Sequence, residues 1–199
     1  KDYGVDFEGF STQAAFLDYD LDGDLDMYLL NHAIHSVRSY GTIKKRQEKD
    51  SLSGDRLYEN KLNEIEGQFV EVTEEAGIYN SPLGYGLAVR VSDFNADGWP
   101  DLYVGNDFHE NDLIYINNQD GTFRESVKDL LNHATRFTMG VDVGDLNNDG
   151  LLDIFSTDMM PYEAEIFMKS GGEDTDKVDR IKKDFGFEPQ LAHNHMQIN

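Results

Sequence analysis

The sequence predicts an all-β protein assembled from repeated four-stranded units, and three observations carry that expectation. One nine-residue pattern, D-x-[DN]-x-D-G-x-x-D, occurs three times in 199 residues. A second marker, a short segment closing on Asn, follows each copy. Short apolar or aromatic runs flank every copy, and no long stretch carries the 3.6-residue apolar period of a helix.

The nine-residue pattern reads Asp18-Tyr-Asp-Leu-Asp-Gly-Asp-Leu-Asp26, Asp93-Phe-Asn-Ala-Asp-Gly-Trp-Pro-Asp101 and Asp145-Leu-Asn-Asn-Asp-Gly-Leu-Leu-Asp153. The copies begin 75 and 52 residues apart. The second marker explains the inequality. It reads Asp55-Arg-Leu-Tyr-Glu-Asn60, Asp112-Leu-Ile-Tyr-Ile-Asn117 and Asn194-His-Met-Gln-Ile-Asn199, and its final Asn lies 42, 24 and 54 residues after the first Asp. The compact unit is therefore about 52 residues, and the first and third copies carry insertions at the same place, at 33–50 and 159–190. Gly67-Gln-Phe-Val-Glu and Gly121-Thr-Phe-Arg-Glu add a third similarity. A period near 50 residues marks an array of supersecondary units, here one partial array over 1–199 divided at 10–79, 80–131 and 132–199, the last unit incomplete.

Within each unit the strands follow in order. Thr12–Phe16, Leu87–Val91 and Met139–Val143 precede the Asp-rich loops; Leu25–Leu30, Leu102–Val104 and Ile154–Phe155 follow them. The Leu-Tyr-x-Asn and Gly-x-Phe segments complete the set. Four short strands per ~50 residues is the arithmetic of a β-propeller blade, with a stacked solenoid as the competing architecture.

Composition narrows the function. Acidic residues outnumber basic ones 39 to 17, for a formal charge of −22. That balance argues against nucleic acid and anionic membrane surfaces as partners. Twelve Phe and ten Tyr argue against a disordered acidic chain, which leaves a folded protein that neutralises its acids with cations. There is no cysteine, hence no disulfide framework and no thiolate metal site. No apolar run reaches the ~18 residues of a membrane span, so no direct membrane insertion is expected. The chain begins at Lys1, without an initiator Met or a leader-like apolar segment, and is expected to derive from a longer precursor.

The Asp-rich loops read as Ca²⁺ sites. Oxygen side chains at positions 1, 3, 5 and 9 turn toward one point, namely Asp18, Asp20, Asp22 and Asp26, then Asp93, Asn95, Asp97 and Asp101, then Asp145, Asn147, Asp149 and Asp153. Without a cation such a loop crowds like charges, and Ca²⁺ takes six to eight oxygens. Position 7 varies in chemistry (Asp24, Trp99, Leu151), as suits a residue used through its carbonyl. An EF-hand needs Glu at position 12; here Leu29, Val104 and Ser156 stand there, inside expected strands. Zinc is disfavoured because the loops hold neither His nor Cys. A plain Asp-Gly hairpin turn would explain one copy but not three in the same strand context.

With these motifs the chain resembles the FG-GAP/VCBS-repeat family, whose blades build the integrin α-subunit type of propeller. It is also similar to bacterial surface or secreted proteins with such repeats and to cartilage acidic protein. Phe69-Val-Glu-Val-Thr-Glu-Glu-Ala-Gly-Ile78 matches a recurring repeat ending. The resemblance implies that carboxylates at positions 1, 3, 5 and 9 and the carbonyl at 7 hold calcium in a hairpin on one face. Asn95 and Asn147 are tolerated variants at position 3. Propellers of this family commonly have seven blades, so three units imply part of a larger ring, on a secreted protein or at an extracellular or bacterial outer-membrane surface.

No Gly-x-Ser-x-Gly elbow, P-loop or nucleophile–base pair is present, and a non-enzymatic chain is expected. His32, His35, His193 and His195 read as surface or loop residues. The insertions hold ten of the 17 basic residues: Arg38, Lys44, Lys45, Arg46 and Lys49 in the first, Lys169, Lys177, Arg180, Lys182 and Lys183 in the second. Val178, Ile181 and Phe185 have the spacing of a short amphipathic helix. Because the insertions follow the second strand and the Asp-rich loops precede it, the two should emerge from opposite faces. The expected function is a calcium-stabilised extracellular or cell-surface interaction module that binds a protein or glycan on the insertion face, with Tyr40, Tyr162 and Phe167 among its residues. The competing readings are the propeller part of a glycan-active enzyme and a structural spacer.

Overall fold

The computed structural model describes residues 2–34, 46, 48–64, 67–169 and 176–199. It is built from successive antiparallel sheets whose strands pair in chain order. The first sheet contains β1 (Ser11–Leu17), β2 (Asp26–Asn31), β3 (Arg56–Asn60) and β4 (Phe69–Glu71). The second contains β5 (Gly86–Ser92), β6 (Asp101–Asn106), β7 (Leu113–Asn117) and β8 (Phe123–Glu125). A short helix, α1 (Val127–Leu130), and β9 (Ala134–Thr135) lead to the third sheet. There β10 (Thr138–Gly144) and β11 (Asp153–Asp158) are joined by β13 (His195–Gln197). The second insertion contributes α2 (Ala164–Lys169), α3 (Asp176–Asp184) and β12 (Gln190–Leu191), the last pairing in parallel with β9.

Each Asp-rich loop joins the first strand of its sheet to the second, and the first-to-second strand registers correspond. Leu17 faces Asp26, Ser92 faces Asp101 and Gly144 faces Asp153, and each pair of strands shifts register near its far end. Tyr58 pairs with Met27 as Tyr115 pairs with Leu102, and Phe69 faces Asn60 as Phe123 faces Asn117. The aromatic residues of the repeat therefore hold equivalent positions.

The middle sheet shows how the array is held together, because side chains alternate between its two faces. Val89, Leu102, Val104, Leu113, Tyr115 and Phe123 pack against Tyr28, Leu30 and Leu57 of the first sheet. Ala88, Tyr103, Ile114 and Ile116 pack against Val141 and Ile154 of the third. Burial of each larger aliphatic side chain among these contributes about 1.5–3 kcal/mol relative to exposure. Close approach is built in at Gly86, where an added Cβ would lie 2.4 Å from Leu30 Cδ1.

The helix expected around Val178 and Ile181 is α3, and Phe185 follows its last residue. Ile181, Phe185 and Phe187 pack on Leu83, in the connection between the first two sheets. His35, Arg38, Tyr40, Lys44 and Lys45, and the side chains of Phe167 and Lys169, lie outside the described residues.

Candidate metal centres and the face opposite them

The three loops share one backbone. Position 4 is left-handed in each, with φ of 56° at Leu21, 57° at Ala96 and 64° at Asn148. Leu and Ala rarely adopt that conformation. Position 6 is also left-handed (Gly23 96°, Gly98 89°, Gly150 89°), and there glycine removes the penalty. Side-chain carboxylates hold the coil. The position-1 carboxylate accepts the position-6 N–H at 3.1 Å for Asp18, 2.8 Å for Asp93 and 2.9 Å for Asp145. The position-5 carboxylate accepts the position-7 N–H, as in Asp97 from Trp99 at 2.9 Å, and that bond is the main cause holding the Asp97 carboxyl below its usual range.

The position-9 aspartates are buried at the base of the loops. One oxygen accepts the position-2 N–H: Asp26 from Tyr19, Asp101 from Phe94 and Asp153 from Leu146. The other accepts the N–H of the marker Asn: Asp26 from Asn60 at 2.9 Å, Asp101 from Asn117 at 2.8 Å and Asp153 from Asn199 at 3.0 Å. Burial pushes the Asp26 and Asp101 carboxyls up to about 6, with those N–H donors opposing it. The marker Asn side chains reach further. Asn117 donates to Tyr19 O at 2.8 Å, and Asn199 donates to Phe94 O at 3.3 Å. Each ties its own sheet to the Asp-rich loop of the sheet before it. Sequence reading used these asparagines only as repeat markers. Their recurrence at the end of each marker segment is the signal the sequence offers.

The first loop fits a hard cation. Oxygens of Asp18, Asp20 and Asp22 lie within 4.8 Å of one another, and Asp18 Oδ1 and Asp24 Oδ1 are buried without a hydrogen-bond partner. A buried anionic oxygen left unpaired is costly, and Ca²⁺ is the partner that accepts several such oxygens at once. Burial raises the Asp20 carboxyl above its ordinary value, with the charge of Asp22 next in importance. The other loops relieve the same crowding internally: Asn95 donates to Asp97 Oδ2 at 2.9 Å, and Asn147 donates to Asp149 Oδ2 at 2.8 Å.

At the other end of the strands lies a second constellation. Tyr28 donates to Asp55 Oδ2 at 2.7 Å while Asp55 Oδ1 accepts the Asn31 N–H; Tyr103, Asp112 and Asn106 repeat this arrangement. In the third sheet the residue types exchange, and Asn194 Oδ1 accepts the Asp158 N–H at 2.8 Å. Burial raises Asp55 and Asp112 to about 6, against their hydrogen bonds.

The insertions leave from this same end and meet there. Arg46 of the first insertion forms an ion pair with the fully buried Glu110 in the β6–β7 connection at 2.9 Å. Its guanidinium stacks 4.2 Å above Phe187 of the second insertion and donates to Phe185 O at 3.2 Å. Ser81 adds a hydrogen bond to Glu110 at 2.8 Å. The insertions are thus one surface, on the edge opposite the Asp-rich loops.

Of the histidines read as surface or loop residues, His193 is exposed as expected, His35 lies outside the described residues, and His195 differs. His195 is only 5% exposed, and its ring centroid lies 4.3 Å from that of His133 and 4.0 Å from that of His193. The register of β13 on β11 turns His195 inward, which a scan of His spacing cannot reveal. Burial lowers His195 to about 4 and is also the main cause lowering His133.

Among known proteins, the FG-GAP-like repeat family matches residues 93–156. Integrin alpha-3 of Mus musculus is 30% identical over 81 residues, covering 35% of this chain and 8% of the integrin. The chain therefore spans a small fraction of that relative. Taken with the repeated four-stranded sheets and their Asp-rich loops, these matches support a likeness of this chain to FG-GAP, integrin-α-like repeat proteins.

Proposed function

We propose that this chain is a calcium-stabilised, non-catalytic interaction module of an extracellular or cell-surface protein, and that its ligand is a protein. Propeller closure by further blades belongs to the same reading. The observation that carries it is the Arg46–Glu110 junction, which fuses two insertions and the β6–β7 connection into one face away from the Asp-rich loops. Recognition residues concentrate on loops held by a rigid scaffold, and this face has the features of one. Tyr162 is 103% exposed, and Met159, Met160 and Ile166 are exposed beside it in sequence. A cavity of ≈ 1210 Å³ opens under Arg46, lined by side chains of both signs such as Lys49, Arg56, Glu71 and Glu74. Aromatic residues, Met and Arg are the types enriched at protein interfaces. No helix among the described residues is long and apolar enough to cross a membrane.

The test is capture of ligands by the immobilised, calcium-loaded chain from arrayed surface proteins and glycans. Each captured ligand is then measured against Tyr162→Ser and Met160→Ser, substitutions at exposed positions that leave the fold intact. A protein ligand weakened at least tenfold by both is the expected result. Ligands bound equally well by both variants, or glycans alone, would overturn this assignment.

A further inference from the structure

Outside the acidic loops, the described residues bring three imidazoles together at the insertion edge of the third sheet. His133 lies in the connection between α1 and β9, while His193 and His195 bracket the start of β13. His133 Nε2 and His195 Nδ1 are 2.8 Å apart, and the His193 ring centroid lies 4.0 Å from that of His195 and 6.4 Å from that of His133. The outer nitrogens are already engaged by the backbone. His193 Nδ1 lies 3.0 Å from Asn194 O, and His195 Nε2 lies 3.3 Å from Leu191 O. A carbonyl can only accept, so each of those nitrogens carries the proton. The lone pairs are left on His193 Nε2 and His195 Nδ1. Fixing the tautomer through a backbone carbonyl is how metal-binding histidines are usually oriented.

A carboxylate lies near the set. Asp158, at the end of β11, is tied to Asn194 between the two histidines by a 2.8 Å hydrogen bond from its N–H. Its Oδ2 accepts the N–H groups of Arg136 and Phe137, while its Oδ1 is buried with no partner. Three imidazoles and one oxygen match the donors preferred by borderline divalent transition metals, whereas the all-oxygen loops suit calcium.

We propose that His133, His193 and His195, with Asp158, form a site for a borderline divalent transition-metal ion, Zn²⁺ in the first instance. The 2.8 Å contact between His133 and His195 is a hydrogen bond in this structure. For an ion to take both nitrogens, the single N–H proton of His133 would shift from Nε2 to Nδ1, which frees the Nε2 lone pair without loss of a proton. The stacked rings converge on the ion by rotation of the exposed His193 side chain, which releases its Nδ1 contact with Asn194 O. Occupancy would clamp the returning end of the second insertion, which already pairs with β9 through β12, to the connection leaving the middle sheet.

The experiment is titration of Zn²⁺ into the calcium-saturated chain by calorimetry. Wild type is expected to take up one equivalent that His193→Ala and His133→Ala each weaken at least tenfold, while Asp22→Ala in the first loop leaves it unchanged. Co²⁺ gives a second readout: the intense visible absorption of a four-coordinate site, lost in His193→Ala. His193 is exposed, and an unchanged melting temperature of that variant without zinc shows that its fold is retained. Absence of stoichiometric zinc uptake, or uptake undiminished in both histidine variants, would overturn the proposal.

Discussion

Single side chains decide how much carboxylate crowding each Asp-rich loop carries. In the second and third loops an asparagine at position 3 donates to the position-5 carboxylate, so part of the negative charge is met within the loop. Gln119 adds a further donor to Asp97 at 3.0 Å. The first loop has Asp20 at that position, and two of its buried carboxylate oxygens have no protein partner. Like charges that close repel when the loop is empty and attract Ca²⁺ more strongly when it is available. In excess calcium, Asp22→Ala should lower the melting temperature more than Asp97→Ala, and chelation should lower that of wild type, since a ligand bound only to the native state stabilises it by mass action. In chelator the order should reverse, because Asp22→Ala then relieves repulsion while losing one acceptor, that of the Asp24 N–H, whereas Asp97→Ala removes the acceptor of three donors, Trp99, Asn95 and Gln119. Scanning calorimetry on both variants with and without chelator checks this; an unchanged order in chelator would rule out the charge-crowding account.

At the scale of the element, each of the first two sheets is locked at both ends by a carboxylate acting on backbone N–H groups. Asp26, Asp101 and Asp153 join the Asp-rich loop to the third strand. Asp55 and Asp112 join the end of the second strand to the start of the third and also receive a buried tyrosine hydroxyl. The second lock has a pH signature. Burial raises the folded values of Asp55 and Asp112 to about 6, above the ordinary 3.8. Between those values the native state binds more protons than the unfolded chain, so these groups make stability fall as pH rises through about 6. The effect is at most about 3 kcal/mol per carboxyl. Asp112→Asn imitates the third sheet, where Asn194 does this work. The variant should therefore lose less stability than wild type between pH 5 and pH 7 in chelator. Urea denaturation at the two pH values gives the difference, and equal losses would mean that Asp112 is already charged without penalty at pH 5.

The whole molecule is a row of sheets with two open ends. In the middle sheet Ile114 and Ile116 are buried by the third sheet. Their counterparts in the third sheet, Met196 and Ile198, are 58% and 53% exposed, and Phe16 on the far side of the first sheet is 56% exposed. Faces this apolar are covered in stable soluble proteins. The 199 residues in isolation should therefore self-associate. Met196→Lys together with Phe16→Lys should return them to monomer without loss of calcium binding. Sedimentation velocity distinguishes the two; a wild-type chain that stays monomeric at tens of micromolar would contradict it.

The sequence by itself determined the strand order, the loop positions and the repeat register, because these depend on local alternation, on Asp and Gly spacing, and on aromatic residues recurring at fixed offsets. It also determined that the two insertions share one edge, since strands in a meander must alternate direction. What neighbouring sheets do to a side chain was not legible there. Nothing local marks Asn117 as the donor to Tyr19 O, because the two are 98 residues apart and meet only when one sheet packs on the next. The burial of Glu110 under Arg46 and the gathering of His133 with His195 have the same origin. These contacts join segments far apart in the chain, so only tertiary packing could decide them.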